Sequence, residues 1–442
     1  MTDAAYSSWG RLPGHEGPAR VLRPAQRADA RPEARDVSWL AYGCGRSYGD
    51  VPRNDGGGLI DTAALDRFIA FDAGTGVIEC EPGVQLGDIL RLGVPAGWFL
   101  PVTPGTQFVT IAGALANDVH GKNHHVAGTF GAHVAAFDLW RSDVGEIHCR
   151  ADNAHRDLFA ATIGGLGLTG LITRVQLRLK RIPGPFMDVE TIRFETLADF
   201  FALSANSADS HEYTVAWVDC SARGNRLGRG WFMRANHLSG LAQPRQRPRG
   251  PGPSVFATPP FSLVNRATLG PLNSLYFHRR ARRRDRAASH YQPYFYPLDA
   301  VRHWNRVYGP RGFYQYQCVV PPGDAPAVIA ELLERIAAAG QGSFLSVLKI
   351  FGDIPSPGLL SFPRPGATLA LDFPNRGAET TQLLDALDSV VRAADGAVYP
   401  AKDARMAPEA FRQFFPRWPQ FADQIDPAFS STFWRRIAGE HA

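Results

Sequence analysis

The sequence predicts an α+β protein built as two domains. Three observations lead there. The chain has 442 residues, more than a single hydrophobic core usually organises. Its glycine-rich clusters crowd into the first 170 residues or so, while Pro183-Gly184-Pro185 marks a break after them. Beyond the break, strands come in runs punctuated by amphipathic helices, the order of an α+β domain with one antiparallel sheet. The expected boundary between the two domains falls after residue 183.

Taken in order, "WLAYGCGRSYGD" reads as a strand over Ser38–Tyr42 entering a glycine turn. "GVIECEPGVQLGDILRLG" gives a strand, a proline-glycine turn and a helix over Leu86–Leu92, with a further strand toward Pro101. "TIAGALAND" is small and apolar, suited to a short helix beneath a ligand, and "AAFDLWRSDVGEIHCRA" is a hairpin about Val144-Gly145. "LFAATIGGLGLTGLITRVQLRLKRI" supplies a helix, a turn and one long strand ending near Ile182. The second domain offers strands in "YTVAWVDC", "RGWFMRAN", "FYQYQCVVP", "SFLSVLKIFG" and "ATLALDFP", with helices in "APAVIAELLERIAAAG" and "TTQLLDALDSVVRAADG". The tail from Pro408 is helical and aromatic.

Composition narrows the class. Hydrophobic content of 45% and charged content of 20% describe a globular chain. The first residues carry no apolar run and no stretch of about 18 apolar residues exists, so neither a secretory signal nor a membrane-spanning helix is expected. Five scattered cysteines, Cys44, Cys80, Cys149, Cys220 and Cys318, make no CxxC pair and read as small buried hydrophobes. Ten arginines against the single acid Asp285 lie between Arg245 and Arg286. That segment is expected to be a solvated, mobile loop or a surface facing anions; without interleaved aromatics it is not a nucleic-acid platform. Only four of 47 basic residues are lysines, at 122, 180, 349 and 402. A compact ammonium with a tunable pKa is what arginine cannot replace, so Lys122, Lys349 and Lys402 become candidates, while Lys180 reads as strand-end surface.

The glycine clusters are "GCGRSYGD", "PGTQFVTIAGALA" and "GGLGLTGLI". Glycine admits close backbone approach, and successive free N–H groups cradle anionic oxygens. None is a P-loop, and the GxGxxG spacing within "GLGLTG" follows a helix and leads into a strand, the reverse of a dinucleotide fingerprint. The stretch "DVHGKNHHVAGTFGAHV" carries His120, His124, His125 and His133. A metal is not expected there, since Gly121 interrupts the helical spacing and "HGKNH" lacks the glutamate of HExxH. Gln315 and Gln317 alternate on one strand face, as do Lys349 and Phe351.

These motifs, with "WGR", "PVTPGT", "WNRVYGPRGFYQYQ", "LKIFG", "LDFP" and "YPAKDAR", resemble the FAD-linked oxidases of the vanillyl-alcohol-oxidase fold. "HGKNHH", "YQYQ" and "AKD" are similar to the subfamily of decaprenylphosphoryl-ribose 2-epimerase oxidase components. The resemblance implies a PCMH-type FAD-binding domain over 1–183, an α+β substrate domain with an antiparallel sheet over 184–395, and a segment 396–442 that returns to the FAD-binding domain. It implies cofactor contacts from Gly43, Gly45, Arg46, Ser47, Tyr48 and Gly49, from Gly105, Thr106, Thr110 and Gly113, and from His120, Ile172 and Tyr399. Arg46 stands where many relatives carry the histidine that bonds covalently to flavin, so FAD is expected to be non-covalent. It implies Lys402, His120 and Lys122 as catalytic residues, and Tyr48, Gln315, Gln317, Lys349, Phe351 and Tyr399 as substrate contacts. His124, His125 and His133 are expected to hold the loop by hydrogen bonds. The pattern departs at Phe295, Ser346, Thr368 and Ala370, where the subfamily has tyrosine, asparagine, asparagine and, in mycobacterial members, cysteine.

The implied activity is oxidation of the 2-hydroxyl of a polyprenylphosphoryl ribose to the keto sugar, the first half of epimerisation to an arabinose donor for cell-wall polysaccharide. A separate NAD(P)H-dependent reductase is expected to finish it, and the enzyme is expected to be of bacterial type, cytoplasmic or peripheral to an anionic membrane, including its periplasmic face. A sugar-alcohol or aldonolactone oxidase of the same fold is the alternative, separated by turnover of free sugars. A non-enzymatic anion-binding protein is the alternative of another class, separated by the absence of flavin colour.

Overall fold

The computed structural model describes residues 6–32, 36–239, 252–279 and 282–439. Their strands form two regions that meet along the glycine-rich loops. In the first, Arg20–Leu22, Gly58–Asp61 and Trp39–Tyr42 lie side by side in parallel. A five-stranded antiparallel sheet follows in the order Phe68–Asp72, Val77–Cys80, Leu171–Arg178, Val134–Arg141, Gly145–Cys149. The helix Leu86–Gly93 covers its core with Leu86, Ile89 and Leu90, and Gln85 and Asp88 close its first turn as a capping box. The expected single strand to Ile182 is broken. After Arg178 the chain leaves the sheet, and Lys180–Arg181 pairs instead with Trp98–Phe99.

The second region is an eight-stranded antiparallel sheet. Its order is Arg284–His290, Phe186–Phe194, Gly230–His237, Tyr213–Val218, Ser346–Phe351, Gly366–Pro374, Phe313–Val320, Ala397–Val398. Side chains alternate between its two faces. Tyr316, Cys318, Leu348, Leu369 and Leu371 join the core beneath the helices Ala325–Ala339 and Ala378–Ala393, which contribute Ile329, Leu332, Leu333, Leu383, Leu384 and Leu387. The intervening residues face the opposite way, toward the glycine loops, and this face becomes the floor of the site.

The C-terminal segment crosses between the regions. Ala397–Val398 closes one edge of the large sheet, and three short helices, Pro408–Phe414, Trp418–Ala422 and Thr432–Ala438, then pack through Phe411, Phe421, Phe433 and Trp434. Trp39 N–H donates to the Ala428 carbonyl at 2.7 Å, and Ser430 N–H to Trp39 at 3.0 Å.

The arginine-rich segment departs from expectation. Residues 284–290 form the far edge strand, with Arg284 paired to Glu190 and Arg286 to Asp188. Acids on the neighbouring strand give these arginines a reason to pack that the local sequence lacks. Arg245, Arg247, Arg249 and Arg280 lie outside the described residues. All five cysteines are unpaired, four of them buried.

Candidate active site

Between the sheet floor and the glycine loops runs one cavity of about 990 Å³. Gly43, Gly45, Arg46, Ser47 and Tyr48 line it from the first cluster, Gly105, Thr106, Thr110 and Gly113 from the second, and Ile172 from the strand after the third. Thr110 caps the short helix Ile111–Ala116, its Oγ1 accepting from Gly113 N–H at 3.1 Å. Gly49, expected among the cofactor contacts, is absent from the wall. A Cβ there would fall 1.4 Å from the Asp403 carbonyl oxygen, so this glycine lets two loops pass each other.

The sheet floor brings the sequence candidates together. His120 bridges two of them: its Nε2 lies 2.8 Å from Gln317 Nε2, and its Nδ1 lies 3.1 Å from Lys349 Nζ. Lys349 also donates to the Gly121 carbonyl at 3.1 Å. Gln317 donates to Thr368 Oγ1 at 3.2 Å, and Gln315 to Asp372 Oδ1 at 2.7 Å. Lys402, at the end of the 3₁₀ turn Pro400–Lys402, places Nζ 4.0 Å from the Tyr48 ring centroid. Tyr399 donates its hydroxyl to the Asn117 carbonyl at 2.7 Å and stacks on Phe362.

Burial sets the charges here. It lowers Lys349 and Lys402 to about 7, neighbouring lysines adding to the shift at Lys349 and Asp372 opposing it at Lys402. Burial also holds His120 well below its ordinary value, helped by Lys349. A neutral imidazole with its proton on Nδ1 donates to a neutral Lys349 amine and accepts from the Gln317 amide, which satisfies all three groups. Burial raises Asp372 to about 6, against hydrogen bonds from Gln315 and Tyr308.

Lys122, expected to be catalytic, lines the cavity, where burial lowers its pKa to about 7, and it donates to the carbonyls of Tyr294 at 2.7 Å and Phe295 at 3.1 Å. It ties the histidine loop to the second region. Two expectations need correction. Phe351 shares the register of Lys349 yet sits behind the wall, packed on His120 and His124 at centroid distances of 4.8 and 4.5 Å. His125 and His133 do hold the loop, through the carbonyls of His211 and Ala127, whereas both ring nitrogens of His124 are buried without a partner. The stronger anchor of that loop is Asp118, whose carboxylate accepts from Gly131 N–H, Ser356 and Ser361. Sequence reasoning missed both Asp118 and Asp372. The "ND" after the short helix and the "LDFP" strand were visible, but pairing across 238 residues for Asp118 and Ser356 leaves no local signal.

Comparison with known proteins settles the family. A family model described as an FAD binding domain matches residues 20–150. Decaprenylphosphoryl-beta-D-ribose oxidase of Mycolicibacterium smegmatis is 35% identical over 435 residues, covering 95% of this chain and 93% of that protein. The chain belongs to the decaprenylphosphoryl-ribose oxidase family. A Streptomyces coelicolor protein described only as uncharacterized, in the mprA 5' region, is 35% identical over 80% of this chain and all of its own length. Delta(24)-sterol reductase of Pisum sativum shares 26% identity over 36% of this chain and 30% of its own. This member of the family is an FAD-dependent oxidoreductase of two-domain α+β architecture.

The residues present fit FAD. A Cβ on Gly105 would meet no protein atom within 4 Å, so its backbone is open to a ligand. Arg46 Nε and Asn117 Oδ1 are buried with no protein partner, and both residues line the cavity. The Arg46 guanidinium lies 4.1 Å over the Trp9 ring, and arginine offers no imidazole for a covalent link, in keeping with non-covalent FAD. Of the four departures from the family pattern, Thr368 and Ala370 are on the cavity floor and Phe295 lines its wall. Ser346 is buried with its hydroxyl unpartnered and does not reach the cavity.

Proposed function

We propose that this enzyme oxidises the 2-hydroxyl of a polyprenylphosphoryl pentose to the 2-keto sugar. The observation that carries this reading is the convergence of Lys402, Lys349, His120 and Gln317 on one cavity continuous with the FAD cradle. When bound, the flavin supplies the two-electron acceptor for the carbinol C–H bond. The chain's own task is the proton. An unassisted alkoxide is too costly near neutral pH, and a buried lysine with a pKa of about 7 accepts the hydroxyl proton as readily as it gives it back. Lys402 takes that proton. Lys349 and Gln317, fixed through the neutral His120, orient the sugar by hydrogen bonds, and Tyr399, held on Asn117, closes the wall beside them. Tyr48 and Gln315 complete the polar end of the floor.

The test is anaerobic mixing of the flavoprotein with polyprenylphosphoryl ribose while flavin absorbance is followed. Bleaching by the lipid-linked sugar, and none by free ribose or by aldonolactones, is the expected result. Bleaching by the free sugars alone would transfer the reading to a sugar-alcohol or aldonolactone oxidase.

Two partners belong to the same proposal. The keto sugar needs a hydride donor to become the epimer. The one GxGxxG spacing among the glycine clusters, Gly165 to Gly170, lies between the helix Arg156–Thr162 and the strand Leu171–Arg178, the reverse of a dinucleotide-binding turn, which supports a separate NAD(P)H-dependent reductase. A lipid-borne substrate also favours peripheral contact with an anionic membrane. No helix among the described residues is long and apolar enough to cross one. Phe256, Phe261 and Leu275 are exposed at 88%, 65% and 67%, in the same stretch of chain as Arg279. Apolar side chains among arginines suit an anionic interface.

A further inference from the structure

The cavity extends well beyond the reacting end. Its floor follows the sheet to the far edge, and the character of the floor changes along the way. Gln317 pairs in register with Ala370, Ala370 with Val347, and Val347 with Trp217. On the same face, Val215 pairs with Met233 and Met233 with Thr191, while Val189 pairs with Ala287 on the edge strand. All of these residues line the one cavity. From Val347 outward the floor is apolar apart from the Thr191 hydroxyl until the edge strand, where Asp285 and Ser289 flank Ala287.

A roof lies over this outer part. The helix Arg266–His278 sets Tyr276 on Trp217 with ring centroids 4.5 Å apart, and Trp217 Nε1 donates to the Phe344 carbonyl at 2.8 Å. Arg279, stacked 3.7 Å over the Tyr276 ring, and Asp285 and Ser289 of the edge strand form the rim. Val189, Met233 and Val347 remain only partly covered by protein, although each faces inward. Apolar side chains left half-covered in an enclosed channel gain by contact with an apolar ligand.

We infer that this outer channel is the seat of the substrate's isoprenoid tail, running across the strands from Val347 to Ala287. The inference rests on the proposed lipid-linked substrate and deepens it. Four strand spacings separate the strand of Val347 from that of Ala287, a span of roughly 19 Å, or about four isoprene units. A longer tail must leave past Arg279, on the side where Leu275 is exposed. The channel therefore reads only the first few units of the lipid and ignores the rest.

The test uses the holoenzyme and sugar-free prenyl phosphates of one, four and eight isoprene units, with dissociation constants measured by calorimetry. Wild type should bind the four-unit phosphate at least about tenfold more tightly than the one-unit phosphate, with no further gain at eight. Val189→Glu places a carboxylate in the outer channel and should cut that long-to-short ratio to about two or less. Val189→Leu should retain it, and flavin content reports the fold of both. A chain-length preference that Val189→Glu leaves intact, or no preference in wild type, overturns the channel assignment. Oxidation of prenylphosphoryl ribose is scored separately. Normal turnover without a chain-length effect removes the channel and keeps the activity; a chain-length effect without any sugar oxidation does the reverse.

Discussion

Lys402 Nζ stands 4.0 Å from the centre of the Tyr48 ring, from the opposite end of the chain. The contact is held at its base, since Tyr48 N–H donates to the Ala401 carbonyl at 3.0 Å. In the proposed function this lysine, fixed beside the FAD cradle, takes the hydroxyl proton. Lys402→Ala should lower substrate-driven flavin reduction by roughly two to four orders of magnitude while FAD stays bound. In wild type the same rate should rise with pH through about 7, as the amine becomes neutral. Stopped-flow reduction at several pH values checks both. A yellow variant reducing at the wild-type rate would move the role to His120.

Lys349 gives a stability signature of definite sign. Its pKa falls from 10.5 to about 7 in the folded chain, so between those values the unfolded chain binds more protons. Stability must then rise with pH across that window, and the full penalty of burying the ammonium is felt below about 7. Lys349→Met removes the titration. The wild-type stability relative to Lys349→Met should climb by about 1 kcal/mol per pH unit from pH 7.5 to 9.5, measured by urea unfolding. A difference that stays flat would show that Lys349 is not buried as an amine.

Non-covalent FAD has a direct consequence. Arg46 stacks over Trp9, and no histidine occupies its place in "GCGRSYGD". Acid precipitation should release all of the flavin into the supernatant. Flavin fluorescence travelling with the denatured chain on a gel would contradict it.

Membrane contact should depend on both charge and exposed apolar groups. Flotation with anionic liposomes should fall by about half or more when Arg279, Arg282 and Arg283 are neutralised, at about 1 kcal/mol per arginine near the surface. Phe256→Ser with Leu275→Ser should weaken it further, and neutral liposomes should bind neither protein. Flotation unchanged by these substitutions removes the surface from consideration.

The parts of this molecule legible in its sequence are those written at short range. Alternation in "FYQYQCVVP" placed Gln315 and Gln317 on one face, and helical spacing found both helices under the sheet. The arginine bias made the surviving lysines conspicuous. What stayed hidden was settled across the chain. The carbonyls of Tyr294 and Phe295 that hold Lys122 in the cavity wall lie more than 170 residues from it. Phe351 alternated correctly but lies where His120 and His124 cover it. Gly49 belongs to a glycine cluster, yet its reason is the passing Asp403 backbone. Arg284 and Arg286 are exposed as expected, but their place in an edge strand was hidden because their partners Glu190 and Asp188 are far away in sequence.

One of these long-range ties should matter for rate. Arg436, on the last helix, donates from Nε to Asp50 Oδ2 at 2.8 Å and from Nη2 to Asp50 Oδ1 and Asp403 Oδ2, both at 3.0 Å. Asp50 ends the loop of Tyr48, and Asp403 follows Lys402. One guanidinium thus clamps the two loops whose side chains meet in the cavity, and a paired charge is needed to keep two buried carboxylates together. Arg436→Met should slow flavin reduction by roughly ten- to a hundredfold through misplacement of Lys402, with Arg436→Lys recovering part of it. The decisive measurement is a double-mutant cycle. If Arg436 acts through Lys402, adding Arg436→Met to Lys402→Ala should cost less than about threefold more, because the group it positions is already gone. Full additivity in variants that keep their FAD would show that the arginine stabilises the fold and has no hand in aligning Lys402.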